Sequence, residues 1–322
     1  MRRLPARDET FFQEADLMTF LLSPKIDIVF KKLFTQDTEL LADLLNAVLD
    51  LPGDRQIESV EVKNPAILPE ELTKKFIVLD IRATDNQKRR YDIEMQVRRY
   101  TAYPKRILYY LSRMYSEQLQ SGQDYENLRP VIGVHFLDYE EFPDHKKTFH
   151  FCFKLRDRNH SDLSLTDDMC LHIFELPKLR RMADKHGNEN LLEWLHFFNH
   201  AHEEGDRKMR EHYTNPKVRK AFGVLEGLSA DELIRQQAET RERALKDEVS
   251  MLAAAERKGM AEGMAKGEKR GEKKGRLIGA ILMVQRMLRQ TLWSEKELEG
   301  KSPGELKNIL AEIETKLKFP SA

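Results

Sequence analysis

Cysteine is scarce in this chain, with Cys152 and Cys170 the only two. Their spacing suggests neither a zinc site nor a disulfide framework, so a reducing compartment is expected. Net charge is missing too: Lys and Arg number 54, and Asp and Glu also number 54. A global attraction to nucleic acid is thereby excluded, and DNA binding would have to come from local patches. No apolar run is long enough to span a membrane. Asp8, Glu9, Glu14 and Asp16 interrupt the first residues, against a secretory signal, and the cytoplasm is the expected location. The phosphate-binding glycine loop of NTPases, the nucleophile elbow and the kinase signature are all lacking.

What is present is charge of both signs, 34% of the 322 residues, on a modest 40% of hydrophobic ones. That balance describes a soluble protein with much solvated helical surface. Residues 1–17 are polar and unpatterned, and read as a disordered arm; Met18 is an alternative start. Ile26, Val29, Phe30 and Leu33 then recur at helical spacing, continued by Leu40, Leu41, Leu44, Leu45 and Val48. Strands are predicted at 57–62, 76–84 and 91–97, a helix at 103–120, and strands at 131–137, 149–155 and 171–176. Beyond Pro177 the text is helical, at 191–198 and 216–228. Ser229 with Glu232 has the form of a capping box opening a long charged helix, and Ser294 with Glu297 and Ser302 with Glu305 look like two more helix starts. The expected architecture is α/β with a mixed sheet. It is divided into the arm 1–17, a core 18–180, a helical extension 181–228 and a charged helical tail 229–322.

The stretch from Phe76 to Arg99 carries the chemistry. Strand side chains alternate between faces. Ile77, Leu79, Ile81 and Ala83 share one face of the first strand, with Asp80 and Arg82 on the other. On the second, Tyr91, Ile93, Met95 and Val97 oppose Asp92, Glu94 and Gln96. If residues 85–89 form the turn, Asp80 lies directly across from Glu94, with Cβ atoms ~5 Å apart. Carboxylates that close repel unless a cation lies between them. Hard oxygen donors with room for water suit Mg²⁺ or Mn²⁺. The bland alternative is the wet face of a surface hairpin, its acids paired with Arg82 or Arg98.

A strand Asp, a hairpin turn and then Glu-x-Lys is the hallmark of the PD-(D/E)xK nucleases. The SPKIDIVFKKLF opening, the YDIEMQ strand, the RILYYLSRMY helix and the glycine-repeat tail together resemble one branch. That branch comprises the Rpn family recombination-promoting nucleases, or PD-(D/E)xK family putative transposases. The likeness covers most of 18–180 and, more loosely, the tail. It implies a restriction-endonuclease-like core cutting DNA with Mg²⁺ or Mn²⁺, Asp80 and Glu94 as metal ligands, and Gln96 at the third motif position. It also suggests Asp27, on the first helix, as a further acid. Gln96 departs from the usual Lys. Glutamine cannot titrate, so it can orient a water but not deprotonate it. Metal-bound water, or another Lys such as Lys25, Lys31 or Lys75, would have to compensate. A second reading therefore stays open: a nuclease-like scaffold with a decayed site, acting as an interaction module through its tail.

Other residues invite function less strongly. Arg98, Arg99, Lys105, Arg106 and Arg113, with Tyr103 and Tyr110, could track a DNA backbone, or simply form a solvated face. His196, His200 and His202 with Glu203 lack a zinc signature, and a helix packing Trp194, Phe197 and Phe198 explains that segment better. Six glycines, Gly259 to Gly279, recur every four residues among Lys, Arg and Glu. A linker and an interaction helix are both open there, and self-association through the C-terminal helices is expected.

Overall fold

The computed structural model describes residues 20–64, 80–100, 102–181, 188–205 and 210–318. The arm 1–17, Lys75 and the start of the strand expected from Phe76 lie outside them. Helices α1 (Asp27–Gln36) and α2 (Thr38–Leu49) form where the apolar spacing is helical, and Asp37 caps α2 by accepting from the Glu39 N–H.

The strands are β1 (Val60–Val62), β2 (Ile81–Asp85), β3 (Arg90–Gln96), β4 (Val131–Leu137), β5 (His150–Arg156) and β6 (Ser164–Glu175). They make one sheet in the order β1-β2-β3-β4-β6-β5. The β3–β4 and β4–β6 pairs are parallel and the others antiparallel, so the sheet is mixed. A parallel pair needs a crossover, and α3 (Tyr103–Ser116) supplies it between β3 and β4. β6 begins earlier than expected, because its polar first half pairs with β5 beyond the core through a shift in register.

Both faces of the sheet are covered. Ile81, Tyr91, Ile93, Met95, Val134, Phe136 and Phe174 pack with α1 and α2 and with two later helices, α5 (Glu189–His200) and α6 (Pro216–Ala230). On the other face, Val131, Leu137 and Ile173 lie under Tyr103, Ile107 and Leu111 of α3. A short helix, α4 (Leu176–Arg181), follows β6 directly. The core thus continues past residue 180, with Trp194, Phe197 and Phe198 buried in it.

The chain divides into two units, Met1–Lys246 and Asp247–Ala322. Helix α7 (Glu232–Met287) begins in the first, where Ile234 and Ala238 are buried. The capping box expected at Ser229 does not form. Ser229 sits in the last turn of α6, donates to the Leu225 carbonyl at 2.6 Å and accepts from the Leu22 N–H; Asp231 caps α7 instead, through the Ile234 N–H. A serine one turn inside a helix prefers that backward bond to its own chain. In the second unit, Ile278, Ile281, Leu298, Leu306 and Ile313 form a small core. Helices α8 (Glu295–Glu299) and α9 (Pro303–Lys318) start with the Ser294–Glu297 and Ser302–Glu305 reciprocal caps the sequence announces.

Candidate active site

The hairpin turn is organised by Asp85. Its Oδ1 accepts from the Gln87 and Arg89 N–H groups, and its Oδ2 from Arg89 Nε and the Tyr91 hydroxyl. Lys88 takes the left-handed conformation, φ 67°. With the turn fixed, Ile81 pairs with Ile93, Arg82 with Asp92 and Ala83 with Tyr91. One step further in the same register, Asp80 falls opposite Glu94.

The polar side of this hairpin is not a wet surface. Helix α3 lies over it, and Asp92, Glu94 and Gln96 are only 3–4% exposed. Asp80 stays more open and takes a 2.9 Å bond from Arg82 Nε. Strand β4 adds His135, which pairs with Glu94 across the parallel ladder. Its Nδ1 lies 3.6 Å from Glu94 Oε2 and 2.9 Å from the Tyr103 hydroxyl, and its Nε2 lies 4.0 Å from Asp92 Oδ2. Glu94 Oε2 also takes long bonds, 3.4 Å each, from Gln96 Nε2 and an Arg106 guanidinium nitrogen. Gly133, paired with Asp92, leaves the space: a Cβ there would stand 2.8 Å from Leu171 and 3.3 Å from both His135 Nε2 and Leu111.

Burial controls the charges. It pushes the Glu94 carboxyl up to about 7, opposed mainly by Arg106. Asp92 is held well above the usual carboxylate range by burial and then by the Glu94 charge. The same burial, with Arg106 nearby, pulls His135 down to about 3, so its imidazole is neutral.

The donor set fits a divalent cation. Asp92, Glu94 and His135 each offer a ligand atom, all within 4.8 Å of one another. Asp92 Oδ1 and His135 Nε2 are buried without a hydrogen-bond partner, as donors to a cation would be. Carboxylate oxygens in the majority favour Mg²⁺ or Mn²⁺ over softer ions. Asp92 and His135 are the residues sequence reasoning left unassigned. Asp92 was already placed on the Glu94 face by alternation. A lone His within VIGVHFL was the only signal for His135.

The remaining candidates are scattered. Asp27 is buried in an ion pair with Arg241 on α7, with Oδ2 taking Nε at 2.8 Å and a terminal guanidinium nitrogen at 2.6 Å. Lys25 pairs with Asp138 at 3.0 Å, and Lys31 is buried in α1. Of the five basic candidates, Arg106 bonds to Glu94 of the site. Arg98 is buried and donates to the Tyr100 hydroxyl, Arg99 pairs with Glu141 and Arg113 with Glu117, and Lys105 is exposed. His196 Nδ1 on α5 and Glu204 beyond its end both bond the Tyr213 hydroxyl, and His200 pairs with Glu203.

A family model described as PD-(D/E)XK nuclease family transposase matches residues 24–255. The chain belongs to that family. Comparisons with curated proteins and with solved structures return no match. The mixed six-stranded sheet and the helical C-terminal region agree with the PD-(D/E)XK nuclease family transposase match. The matched span holds the hairpin, α3, β4 and the Asp27–Arg241 pair, and ends inside α7.

Proposed function

We propose that this chain is a metal-dependent DNA endonuclease that hydrolyses phosphodiester bonds during recombination or movement of mobile DNA. The observation that carries the reading is the register that sets Asp80 opposite Glu94, with buried Asp92 beside them. Three carboxylates share this corner of the sheet; Arg82 pairs with Asp80 and Arg106 with Glu94. Charge of that kind is costly to bury unless a cation completes it. The family description, nuclease and transposase, points the same way.

Asp80 and Glu94 hold Mg²⁺ or Mn²⁺, and Asp92 is placed to join them. When bound, such an ion lowers the pKa of its water and polarises the scissile phosphate. Gln96 cannot take a proton, so its amide orients water or substrate. His135, neutral and bonded through Nδ1 to the Tyr103 hydroxyl, has its Nε2 free to join the carboxylates on the ion. Arg106 leans on the rings of Tyr100 and Tyr103, at 4.9 and 5.8 Å, and its buried Nε has no hydrogen-bond partner. It has donors left for a phosphodiester oxygen. Tyr109 and Tyr110, exposed on α3 and in edge contact, offer stacking faces for unpaired bases.

A plasmid-nicking assay tests this. Cleavage should require Mg²⁺ or Mn²⁺ and fall to background in Asp80→Ala and Glu94→Ala. Gln96→Ala should be milder, and Gln96→Lys should keep or raise the rate. Salt is held constant, since phosphate contacts weaken steeply with it. Folded, metal-loaded wild type that cuts neither single- nor double-stranded DNA would defeat the enzyme and leave the decayed scaffold.

A further inference from the structure

The far edge of the sheet holds a second cluster that the nuclease reading does not use. Among the described strands β5 is at the edge, hydrogen-bonded to β6. In their register Cys152 faces His172 and Lys154 faces Cys170. Alternation therefore puts Cys152, Cys170 and His172 on one side. It is the side away from Glu94, because His135 pairs with Ile173, the neighbour of His172. Cys170 and His172 are buried, while Cys152 is exposed.

The three donor atoms form a tight triangle. Cys152 Sγ lies 3.5 Å from Cys170 Sγ and 3.8 Å from His172 Nε2, and Cys170 Sγ lies 3.3 Å from that same nitrogen. Metal–sulfur bonds of ~2.3 Å and metal–nitrogen bonds of ~2.0 Å at tetrahedral angles give edges of about 3.8 Å between sulfurs and about 3.5 Å from sulfur to nitrogen. The observed triangle is already close to that size. The other ring nitrogen of His172, Nδ1, stands 3.0 Å from His150 Nε2, and His150 is stacked on Phe174 at 4.2 Å. Donation of the Nδ1–H to His150 aims the Nε2 lone pair at the sulfurs. Metal-binding histidines are commonly held in this way by a second residue.

We propose that Cys152, Cys170 and His172 bind Zn²⁺ on the edge hairpin, with His150 positioning His172 and the fourth position open to solvent beside Cys152. Two thiolates and an imidazole select a soft ion, as the carboxylates on the opposite face select a hard one. The ion ties the edge strand to β6. A Cys152–Cys170 disulfide is the competing use of the same pair. It would need the sulfurs to close by about 1.5 Å and would leave the His172–His150 pair without a task. Cysteine spacing in the sequence could not show the cluster, since its ligands meet only across the ladder.

The test is metal content of the full-length, reduced protein by mass spectrometry, with Co²⁺ as a spectroscopic substitute for Zn²⁺. Wild type should carry stoichiometric zinc and show thiolate-to-cobalt charge-transfer bands. Cys152→Ser, Cys170→Ser and His172→Ala should lose both. His150→Ala should keep the cobalt spectrum and bind zinc about 10–100-fold more weakly. Glu94→Ala should keep its zinc while losing cleavage, so failure of this site and failure of the nuclease reading are told apart. Cys152 is exposed, and its serine variant should fold, as checked by circular dichroism. Folded wild type that takes up neither ion, serine variants that retain the metal, or a Cys152–Cys170 disulfide in protein that never binds metal would each overturn the proposal.

Discussion

Glu94 owes its behaviour to burial under α3. Its carboxyl stands at about 7 in the folded protein against 4.5 for a free glutamate, with burial first among the causes and Arg106 working against it. A raised acid favours the protonated folded state. The stability this gives is complete below pH 4.5 and is lost as pH climbs through about 7. Metal-free protein should therefore melt at falling temperature between those limits, and saturating Mg²⁺ should reduce the fall. Glu94→Gln, which cannot ionise, should flatten the curve and raise the metal-free melting temperature near neutral pH. Identical curves for wild type and Glu94→Gln would show that Glu94 is not the group responsible. At this scale the sequence was partly legible. That Asp80, Glu94 and Gln96 lie on one face of the hairpin follows from alternation and turn length, which are local. His135 does not, because a parallel pairing between β3 and β4 leaves no mark on the text of either strand.

At the scale of elements, the Asp27–Arg241 pair joins α1 to the start of α7 across most of the sequence. Asp27 was expected to help at the active site, and its carboxylate is engaged by a guanidinium buried as deeply as itself. Removing one partner of a buried pair typically costs ~3–5 kcal/mol, because the other charge is stranded. Asp27→Ala and Arg241→Ala should each destabilise by that order in denaturant titrations. The Asp27→Leu/Arg241→Leu double variant should recover much of the loss. Cleavage per folded molecule should change far less than stability, and a collapse of activity in folded Asp27→Ala would return Asp27 to the chemistry. The apolar stripes of α1 and α5 were readable from spacing, as were the caps at Ser294 and Ser302. The partner of Asp27 was not, since nothing in a run of alternating charges singles out Arg241. Ser229 misled because its spacing to Glu232 satisfies the cap pattern while its backbone is still helical.

On the scale of the whole molecule, the second unit poses the larger question. Helix α7 runs unbroken through Gly259, Gly263, Gly267, Gly271, Gly275 and Gly279. Each glycine costs ~1 kcal/mol relative to alanine in a helix interior, so this segment is weak on its own. A Cβ built on any of the six would meet nothing within 4 Å. Packing within the described chain therefore gives no reason for glycine here. Met260 and Met264 lie exposed between them, 65% and 71%. Such a surface gains most from a second helix that can approach closely, and a second copy of this chain is the expected partner. The cut that tests it belongs after Lys246, since an earlier one would remove Arg241 from Asp27. Full-length protein should be oligomeric in light scattering, and the fragment ending at Lys246 should be folded and monomeric. Gly263→Ala with Gly267→Ala separates the two uses of glycine. If the glycines serve close approach, the substitutions weaken association even though alanine favours the helix. A full-length chain that is monomeric at high concentration, or alanine variants that associate as well as wild type, would leave the repeat a solvated helix with no partner.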